Sequence, residues 1–282
     1  MSELTLSELY IYPIKSAAGI AMRKAQMTAR GLQHDRRWMV VDARGKFMTQ
    51  RRFPQMALIS VALEDGLKGE LVVNAPGMET LVVPLMGKGD VSEGNGMEVE
   101  VWGDRCKAIS VSAESKAWFS QFLETDCQLV YMPDDAQRPT EHGKLGPDNL
   151  VSFADAFPYL LISEASLNGL NQKLSGHDAS PVSMDRFRPN LVISGASKPH
   201  AEDAWQQISI SEAVFDLPKL CARCSIPNVE QQTGDRGKEP TKTLSTYRFW
   251  DKGIWFGKNG LQTGGPQNAV LRVGDEIRVL RE

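Results

Sequence analysis

Trp38-Met39-Val40-Val41 and Phe47-Met48-Thr49-Gln50 are two short apolar runs separated by a turn sequence that contains Ala43-Arg44-Gly45. Two such runs joined by a few residues that include glycine are typical of a β-hairpin. The arrangement recurs downstream, with Asp65-Gly66 between Leu58–Leu63 and Glu70–Val73, and with Gly103-Asp104 between Val99–Trp102 and Cys106–Ile109. Repeated meanders of this kind predict a strongly curved sheet or a barrel in the first part of the chain.

Two helices interrupt the strand-like pattern. Ser112 is a suitable N-cap for a helix that runs to Leu123, and Ser163 is a suitable N-cap for a helix over Glu164–Leu174. The strand pattern then returns at Leu191–Ile193, Ile208–Ile210 and Val214–Leu217, and in a hairpin of Ala269–Val273 with Ile277–Leu280 across Gly274-Asp275. We therefore expect a mostly β (α+β) chain with a few short helices, in two domains at 1–125 and 126–282. The polar stretch Met132–Leu150 is expected to be a linker or a lid.

The composition narrows the class of protein. The chain has 282 residues, a net charge of −3 and a pI of about 5.9, which argues against nucleic acid as the main partner. No apolar stretch approaches the ~18 residues of a membrane helix, and the amino terminus shows no secretory signal. Four cysteines are too few for a disulfide scaffold, so we expect reduced thiols in a cytoplasmic protein.

Cys221-Ala222-Arg223-Cys224 follows the strand-like run Val214–Leu217, and this CxxC motif has four possible interpretations. A structural zinc site needs more ligands than one close pair, and the histidines are scattered. A redox dithiol is expected to open a helix, whereas Ile226-Pro227 follows here. Two structural thiols, or one cysteine that ligates the metal of a cofactor with the other in support, are the remaining readings. Thiolates favour soft metals.

Several polar clusters stand beside apolar runs. Lys15-Ser16 follows Tyr12-Pro13, where proline ends a strand ladder, and this pair is suited to a phosphate or to solvent. Arg36 and Arg37 are neighbours, so in a strand only one of them would face a given site. Arg188-Pro189-Asn190 is a rigid group of donors and acceptors, with structural buttressing as the alternative. Asp155 lies between Phe153 and Phe157, so we expect it to have either an arginine partner or a role as a hydrogen-bond acceptor.

These segments, in this order, resemble the MOSC family, and within it the amidoxime-reducing branch. The resemblance extends over nearly the whole chain. It rests on Tyr12-Pro13-Ile14-Lys15-Ser16, Asp35-Arg36-Arg37-Trp38, Ile162–Leu167, Phe187–Gly195, Cys221-Ala222-Arg223-Cys224, Phe256-Gly257-Lys258-Asn259 and Arg272-Val273-Gly274-Asp275.

The resemblance implies an N-terminal MOSC-associated β domain followed by a MOSC β-barrel domain, with the molybdenum cofactor (Mo-molybdopterin) between them. It implies that Cys224 is the protein ligand of molybdenum and that Cys224 and Asp155 are the candidate catalytic residues. The residues implied to hold the cofactor are Lys15, Ser16, Arg36, Asp155, Arg188, Asn190, Arg223 and Asn259. Arg37 and Arg186 have no clear counterpart in the family and are left out.

The resemblance also implies a function: reduction of N-hydroxylated compounds such as amidoximes, hydroxylamines and N-hydroxylated bases. The chain has neither an iron–sulfur cysteine cluster nor a glycine-rich dinucleotide motif, so we expect an external flavin or ferredoxin-type electron donor. The alternatives are a carrier of molybdenum cofactor or sulfur without turnover of its own, and a thiol–disulfide protein. The physiological substrate and the oligomeric state are not encoded in any readable motif.

Overall fold

The computed structural model describes residues 3–64, 69–85, 96–140 and 149–282, and it is mostly β, as predicted. In these ranges the helices are α1 (Ala113–Leu123), α2 (Glu164–Ser175) and α3 (Thr241–Ser245). The strands are β1 (Leu4–Ile11), β2 (Ile20–Met22), β3 (Lys24–Thr28), β4 (Gly31–Leu32), β5 (Trp38–Asp42), β6 (Ser60–Glu64), β7 (Glu70–Asn74), β8 (Leu81–Pro84), β9 (Gly96–Val101), β10 (Asp104–Ser110), β11 (Cys127–Tyr131), β12 (Tyr159–Ser163), β13 (Leu191–Ser194), β14 (Gln207–Ile210), β15 (Ala213–Ala222), β16 (Phe249–Trp250), β17 (Gly253–Gly264), β18 (Val270–Arg272) and β19 (Glu276–Arg281).

Seven strands close a barrel in the order β12, β13, β1, β19, β14, β15 and β17, and β17 pairs back to β12. Neighbours in the barrel are antiparallel except β12 and β13, which are parallel. The interior is apolar, with Leu9, Phe215 and Ile208 fully or almost fully buried. The first strand of the chain thus lies between β13 and β19, which both come from its second half.

A second β layer is built from the first half of the chain. It comprises the four-stranded sheet β5-β11-β10-β9 and the three-stranded meander β6-β7-β8. Helix α1 packs on it through Trp118, Phe119 and Leu123, in a core that also contains Trp38. The division at 125/126 stays a prediction, because β1 lies in the barrel whereas β11 pairs with β5 and β10.

The local signals in the sequence were mostly correct. The pairs β6–β7 and β9–β10 form as expected, and Ser112 and Ser163 accept hydrogen bonds from the backbone N–H groups of Ser115 and Ser166 as N-caps. The strand expected at Phe47–Gln50 is wrong, because only a bridge between Val41 and Phe47 forms. The chain turns directly afterwards, where the carbonyl oxygen of Thr49 accepts from the N–H groups of Arg52 and Phe53.

The expected hairpin of the last two strands is also wrong. The turn exists, since Gly274 has a φ of +100° and the N–H of Asp275 donates to the carbonyl oxygen of Arg272 at 3.0 Å. The strands on either side diverge, however. Strand β18 pairs with β3, whereas β19 pairs with β1 and β14.

The connection over Met132–Leu150 lies partly outside the described residues, at 141–148. On either side of that gap, Pro139 and Leu150 form an antiparallel bridge. Among the helices of the described ranges, none combines the length and apolar character needed to cross a membrane.

Candidate functional site

One pocket gathers every candidate site residue named from the sequence. It lies between the turns after β1 and before β5, the segments before β12 and β13, the end of β15 and the middle of β17. Its lining includes Lys15, Ser16, Arg36, Asp155, Arg188, Asn190, Arg223, Cys224 and Asn259, together with Phe157, Leu160, Phe187, Cys221 and Ile226. These residues come from distant parts of the sequence, and closure of the barrel brings them together.

Three of the polar lining residues occupy the left-handed backbone region. Ser16, Arg36 and Arg188 have φ values of +68°, +49° and +56°. Such values are uncommon for residues other than glycine, and they concentrate at functional sites where surrounding structure enforces them. The turns at these positions direct the side chains into the pocket instead of along a strand.

Two of the cations, Arg36 and Arg188, stack on the ring of Tyr12. The guanidinium carbons of Arg36 and Arg188 lie 4.4 and 4.3 Å from the centroid of its ring, and its hydroxyl donates to the carbonyl oxygen of Pro189 at 3.0 Å. Burial lowers the pKa of Arg188 to about 10, so this side chain remains a cation at neutral pH. Stacking on an aromatic ring suits guanidinium groups, which are weakly hydrated.

Asn190 positions Arg36. Its side-chain oxygen accepts from Nη1 of Arg36 at 2.9 Å and from the N–H of Leu160 at 3.2 Å, and its side-chain nitrogen donates to the carbonyl oxygen of Tyr10. Arg36 also donates to the buried carboxylate of Asp35 at 2.5 Å. Asn190 thus links β1, β12 and β13 to the arginine.

Lys15 and Asp155 form an ion pair across the pocket. Nζ of Lys15 donates to Oδ1 of Asp155 at 2.5 Å and to the carbonyl oxygen of Phe153 at 2.7 Å. The lysine side chain is 6% exposed and that of Asp155 is 61% exposed, so the aromatic neighbours do not enclose the carboxylate as the sequence suggested. Although desolvation opposes it, the ammonium group of Lys15 holds the pKa of Asp155 well below its usual range. Asp155 therefore acts as an acceptor at neutral pH.

The cysteine pair lies at the end of β15, which extends through Ala222 and so includes Cys221, beyond the run Val214–Leu217 that the sequence indicated. Arg223 donates to Sγ of Cys221 at 3.1 Å and to the carbonyl oxygen of Phe187 at 2.7 Å. Its Nε is buried without a hydrogen-bond partner. Cys224 is partly exposed to the pocket and is not in a disulfide.

Asn259 completes the wall from β17, where its side chain donates to the carbonyl oxygen of Leu220 at 3.3 Å. The two arginines left out of the site face elsewhere. Arg37 donates to the carbonyl oxygen of Met132 and pairs with Asp134, and Arg186 pairs with Glu230.

Arg138 was missed by the sequence analysis. It is 2% exposed and donates to the carbonyl oxygens of Ser152 at 2.7 Å, Ala154 at 2.5 Å and Asp155 at 2.9 Å. It therefore shapes the segment that presents Asp155. No motif marks it, because it lies in the long polar connection; a single arginine there is usually solvated.

The donor set of the pocket suits an anionic cofactor that carries a soft metal. Two thiols and four cationic side chains line it, and Nε of one of these cations, Arg223, is buried without a hydrogen-bond partner among the described residues. Within the described ranges, no cluster of three or more His, Cys, Asp or Glu side chains is arranged to hold a metal ion. That Cys224 is the protein ligand of a metal carried by a cofactor stays a prediction from the sequence.

The structure is a two-part β protein with a pocket lined by cations and thiols beside a small barrel, and comparison with known families assigns it to a family. The model of the MOSC N-terminal beta barrel domain matches residues 3–126, and that of the MOSC domain matches residues 148–278. The chain belongs to the MOSC family, as its motifs suggested.

Its relatives fall into two groups. The chain is 33% identical to mitochondrial amidoxime reducing component 2 of Bos taurus, over 97% of this chain and 82% of that protein. It is 32% identical to mitochondrial amidoxime-reducing component 1 of Mus musculus, over 98% and 82%. It is also 33% identical to molybdenum cofactor sulfurase of Oryza sativa subsp. japonica, over 91% of this chain but only 32% of that protein.

Proposed function

We propose that this protein is a molybdenum-cofactor-dependent reductase of N-hydroxylated compounds, which receives electrons from an external flavin or ferredoxin-type partner. The observation that carries the proposal is the convergence of Cys224 with Lys15, Arg36, Arg188 and Arg223 on one pocket. The names of the relatives support amidoximes as a substrate class. The net reaction takes an N–OH group, two electrons and two protons to N–H and water.

The residues of the chain have distinct parts in this proposal. When bound, the molybdenum cofactor would supply the two-electron redox chemistry that the reduction of an N–OH group requires. Cys224 provides the thiolate ligand, and Arg36, Arg188 and Arg223 hold the anionic portions of the cofactor with Ser16, Asn190 and Asn259 around them. Asp155 stays ionised through Lys15 and orients donor groups of the substrate, so it is not the proton donor.

The first experiment measures bound molybdenum by elemental analysis after expression in a host that makes the cofactor and is fed molybdate. Near-stoichiometric metal is expected in the wild type, and a loss of about tenfold or more in Cys224→Ser, because this variant lacks the thiolate that the proposal assigns as the protein ligand of the metal. Cys221→Ser is the matched control, since it removes a thiol from the same pocket, and it should keep its molybdenum. Metal-free, well-folded wild type would refute the proposal.

A second candidate function is a carrier of molybdenum cofactor or sulfur. The similarity to a molybdenum cofactor sulfurase favours it, because that match covers most of this chain. The two functions separate by turnover. The reductase consumes a chemical reductant when benzamidoxime or hydroxylamine is added, whereas the carrier shows no turnover with any donor and releases its cofactor to an acceptor apoenzyme. A cytoplasmic location stays a prediction.

A further inference from the structure

Trp102 contacts the pocket residue Asp155 and has an unusual backbone conformation. It is the first central residue of the two-residue turn between β9 and β10, where Val101 pairs with Asp104. Trp102 has a φ of +55° and Gly103 a φ of +92°, as in a type I′ hairpin turn. That turn favours Asn, Asp or Gly at its first central position, so a bulky aromatic residue there is an outlier that calls for an explanation.

The side chain of Trp102 is directed to the site and not to the core. Its indole N–H donates to Oδ1 of Asp155 at 2.9 Å, although the ring is 47% exposed to solvent. The same oxygen accepts a hydrogen bond from Nζ of Lys15 at 2.5 Å. Oδ2 of Asp155 makes no hydrogen bond to any of the residues that the structure describes, and it stays available to a ligand.

Two neighbours fix the plane of the indole. The guanidinium carbon of Arg51 lies 4.1 Å from the ring centroid of Trp102, and the ring of Phe47 lies 5.0 Å away. A cation over the ring and a second aromatic ring beside it both favour one orientation of the indole. The indole is thus held in one orientation beside Asp155, with part of its ring surface exposed to solvent; this exposed part is called the indole wall.

We propose that Trp102 is a positioning residue for substrate and selects N-hydroxylated compounds whose N–OH group is conjugated to a planar, aromatic body. The body of the substrate packs on the exposed part of the indole, and Oδ2 of Asp155 accepts an N–H of its amidine-type group. Small N-hydroxylated compounds, such as hydroxylamine, reach the pocket without using this wall. The inference rests on the proposed function, because it names a specificity element of the same site.

Two variants separate a role in substrate binding from a role in folding. Trp102→Asn places a residue that the turn prefers, so the thermal unfolding temperature should be unchanged or higher and bound molybdenum should match that of the wild type. Trp102→Phe keeps a ring but loses the donor to Asp155. Phe249→Ala is the control, because Phe249 is also an exposed aromatic side chain, at 60% exposure, and it does not line the pocket.

The experiment compares kcat and KM for benzamidoxime and for hydroxylamine with a chemical electron donor. In Trp102→Asn, the KM for benzamidoxime should rise about 5- to 10-fold, which is the range expected for the loss of one aromatic contact. The kcat and KM for hydroxylamine should both stay within about twofold of the wild-type values. Trp102→Phe should give an intermediate KM. Titration of tryptophan fluorescence with benzamidoxime, without reductant, should show quenching in the wild type and clearly less in both variants.

The outcomes are distinguishable. If the Trp102 variants change the kinetic constants equally for both substrates, or for neither, the role of Trp102 is overturned. The proposed reductase function would still stand in that case, provided that the wild type turns over hydroxylamine. Absence of turnover of both substrates by molybdenum-loaded wild type would overturn the proposed function and the inference together.

Discussion

At the scale of single residues, the site depends on how each charge is paired. Lys15 is almost completely buried, and its partner Asp155 is mostly exposed, so this carboxylate links an interior cation to the solvent side of the pocket. Arg36 and Arg188 instead share the buried ring of Tyr12. The cations are therefore fixed before any ligand binds, which reduces the entropy that binding has to offset.

The lowered pKa of Asp155 gives a testable dependence of stability on pH. A carboxylate whose pKa is lower in the folded state than its unfolded value, about 3.9, contributes its full stability above that value and loses it as the pH falls towards the folded pKa. Asp155→Asn should therefore be less stable than the wild type by about 1 kcal/mol between pH 5 and 8, a figure reduced for the exposure of the carboxylate. The difference should shrink below about pH 4.

Urea unfolding of both proteins from pH 3 to pH 8 measures this difference. Asp135→Asn is a control, since Asp135 pairs with Lys107 at 3.0 Å but both side chains are largely exposed, and a smaller change is expected. A difference between Asp155→Asn and the wild type that grows as the pH is lowered would contradict the proposed ion pair.

At the scale of elements, the segment before β12 presents Asp155 and has no regular structure of its own. Its backbone carbonyl groups accept hydrogen bonds from the guanidinium of Arg138, at Ser152, Ala154 and Asp155, and from Nζ of Lys15, at Phe153. A buried guanidinium that replaces a sheet ladder in this way couples the stability of the segment to one side chain.

Replacing Arg138 should therefore affect both stability and the site. Arg138→Met removes this donor from the buried carbonyl groups of Ser152 and Ala154 and from that of Asp155, and we expect a loss of about 2–4 kcal/mol in the free energy of unfolding, with weaker retention of molybdenum. Arg138→Lys keeps the charge but not the planar fork and should recover part of the loss. Arg105→Met is the control, because Arg105 is 73% exposed and should change stability by no more than about 0.5 kcal/mol. Equal stability of Arg138→Met and Arg105→Met in denaturant unfolding would show that the fork is dispensable.

The elements that the sequence predicted well are those whose signal is local. The N-caps Ser112 and Ser163 are defined by a few neighbouring residues, so they could be predicted. The β9–β10 hairpin was predicted for the same reason, although its turn lies at Trp102-Gly103 and not at Gly103-Asp104. The pairing of β18 with β3 and of β19 with β1 depends on residues more than two hundred positions apart, and no local pattern encodes it. The candidate site residues were named through family motifs, and the structure collects them in one pocket; their roles remain predictions. Sequence analysis missed Arg138 because its role depends on hydrogen bonds to three carbonyl groups further along the chain, which no local pattern marks.

At the scale of the whole molecule, the barrel is completed by the start of the chain. Strand β1 fills the gap between β13 and β19, and its side chains Leu6, Leu9 and Ile11 are at most 1% exposed. Burial of each such side chain contributes about 1.5–3 kcal/mol, whereas a whole domain is stable by only about 5–15 kcal/mol. Loss of β1 would therefore remove an amount comparable with the entire stability of the barrel and expose two strand edges.

A fragment of residues 126–282 should consequently fail to fold alone, although it contains the whole of the MOSC match. We expect no cooperative transition for it in circular dichroism on heating, and we expect a transition to appear when a peptide of residues 3–22 is added, because that peptide restores β1 and β2. A peptide with Leu9→Asp is the matched control, since a charge directed into the apolar interior should prevent this rescue. Cooperative unfolding of the fragment without any peptide would instead support a self-sufficient carboxy-terminal domain with the boundary at 125/126. The first part of the chain would then be needed only because it supplies Lys15, Ser16 and Arg36 to the pocket.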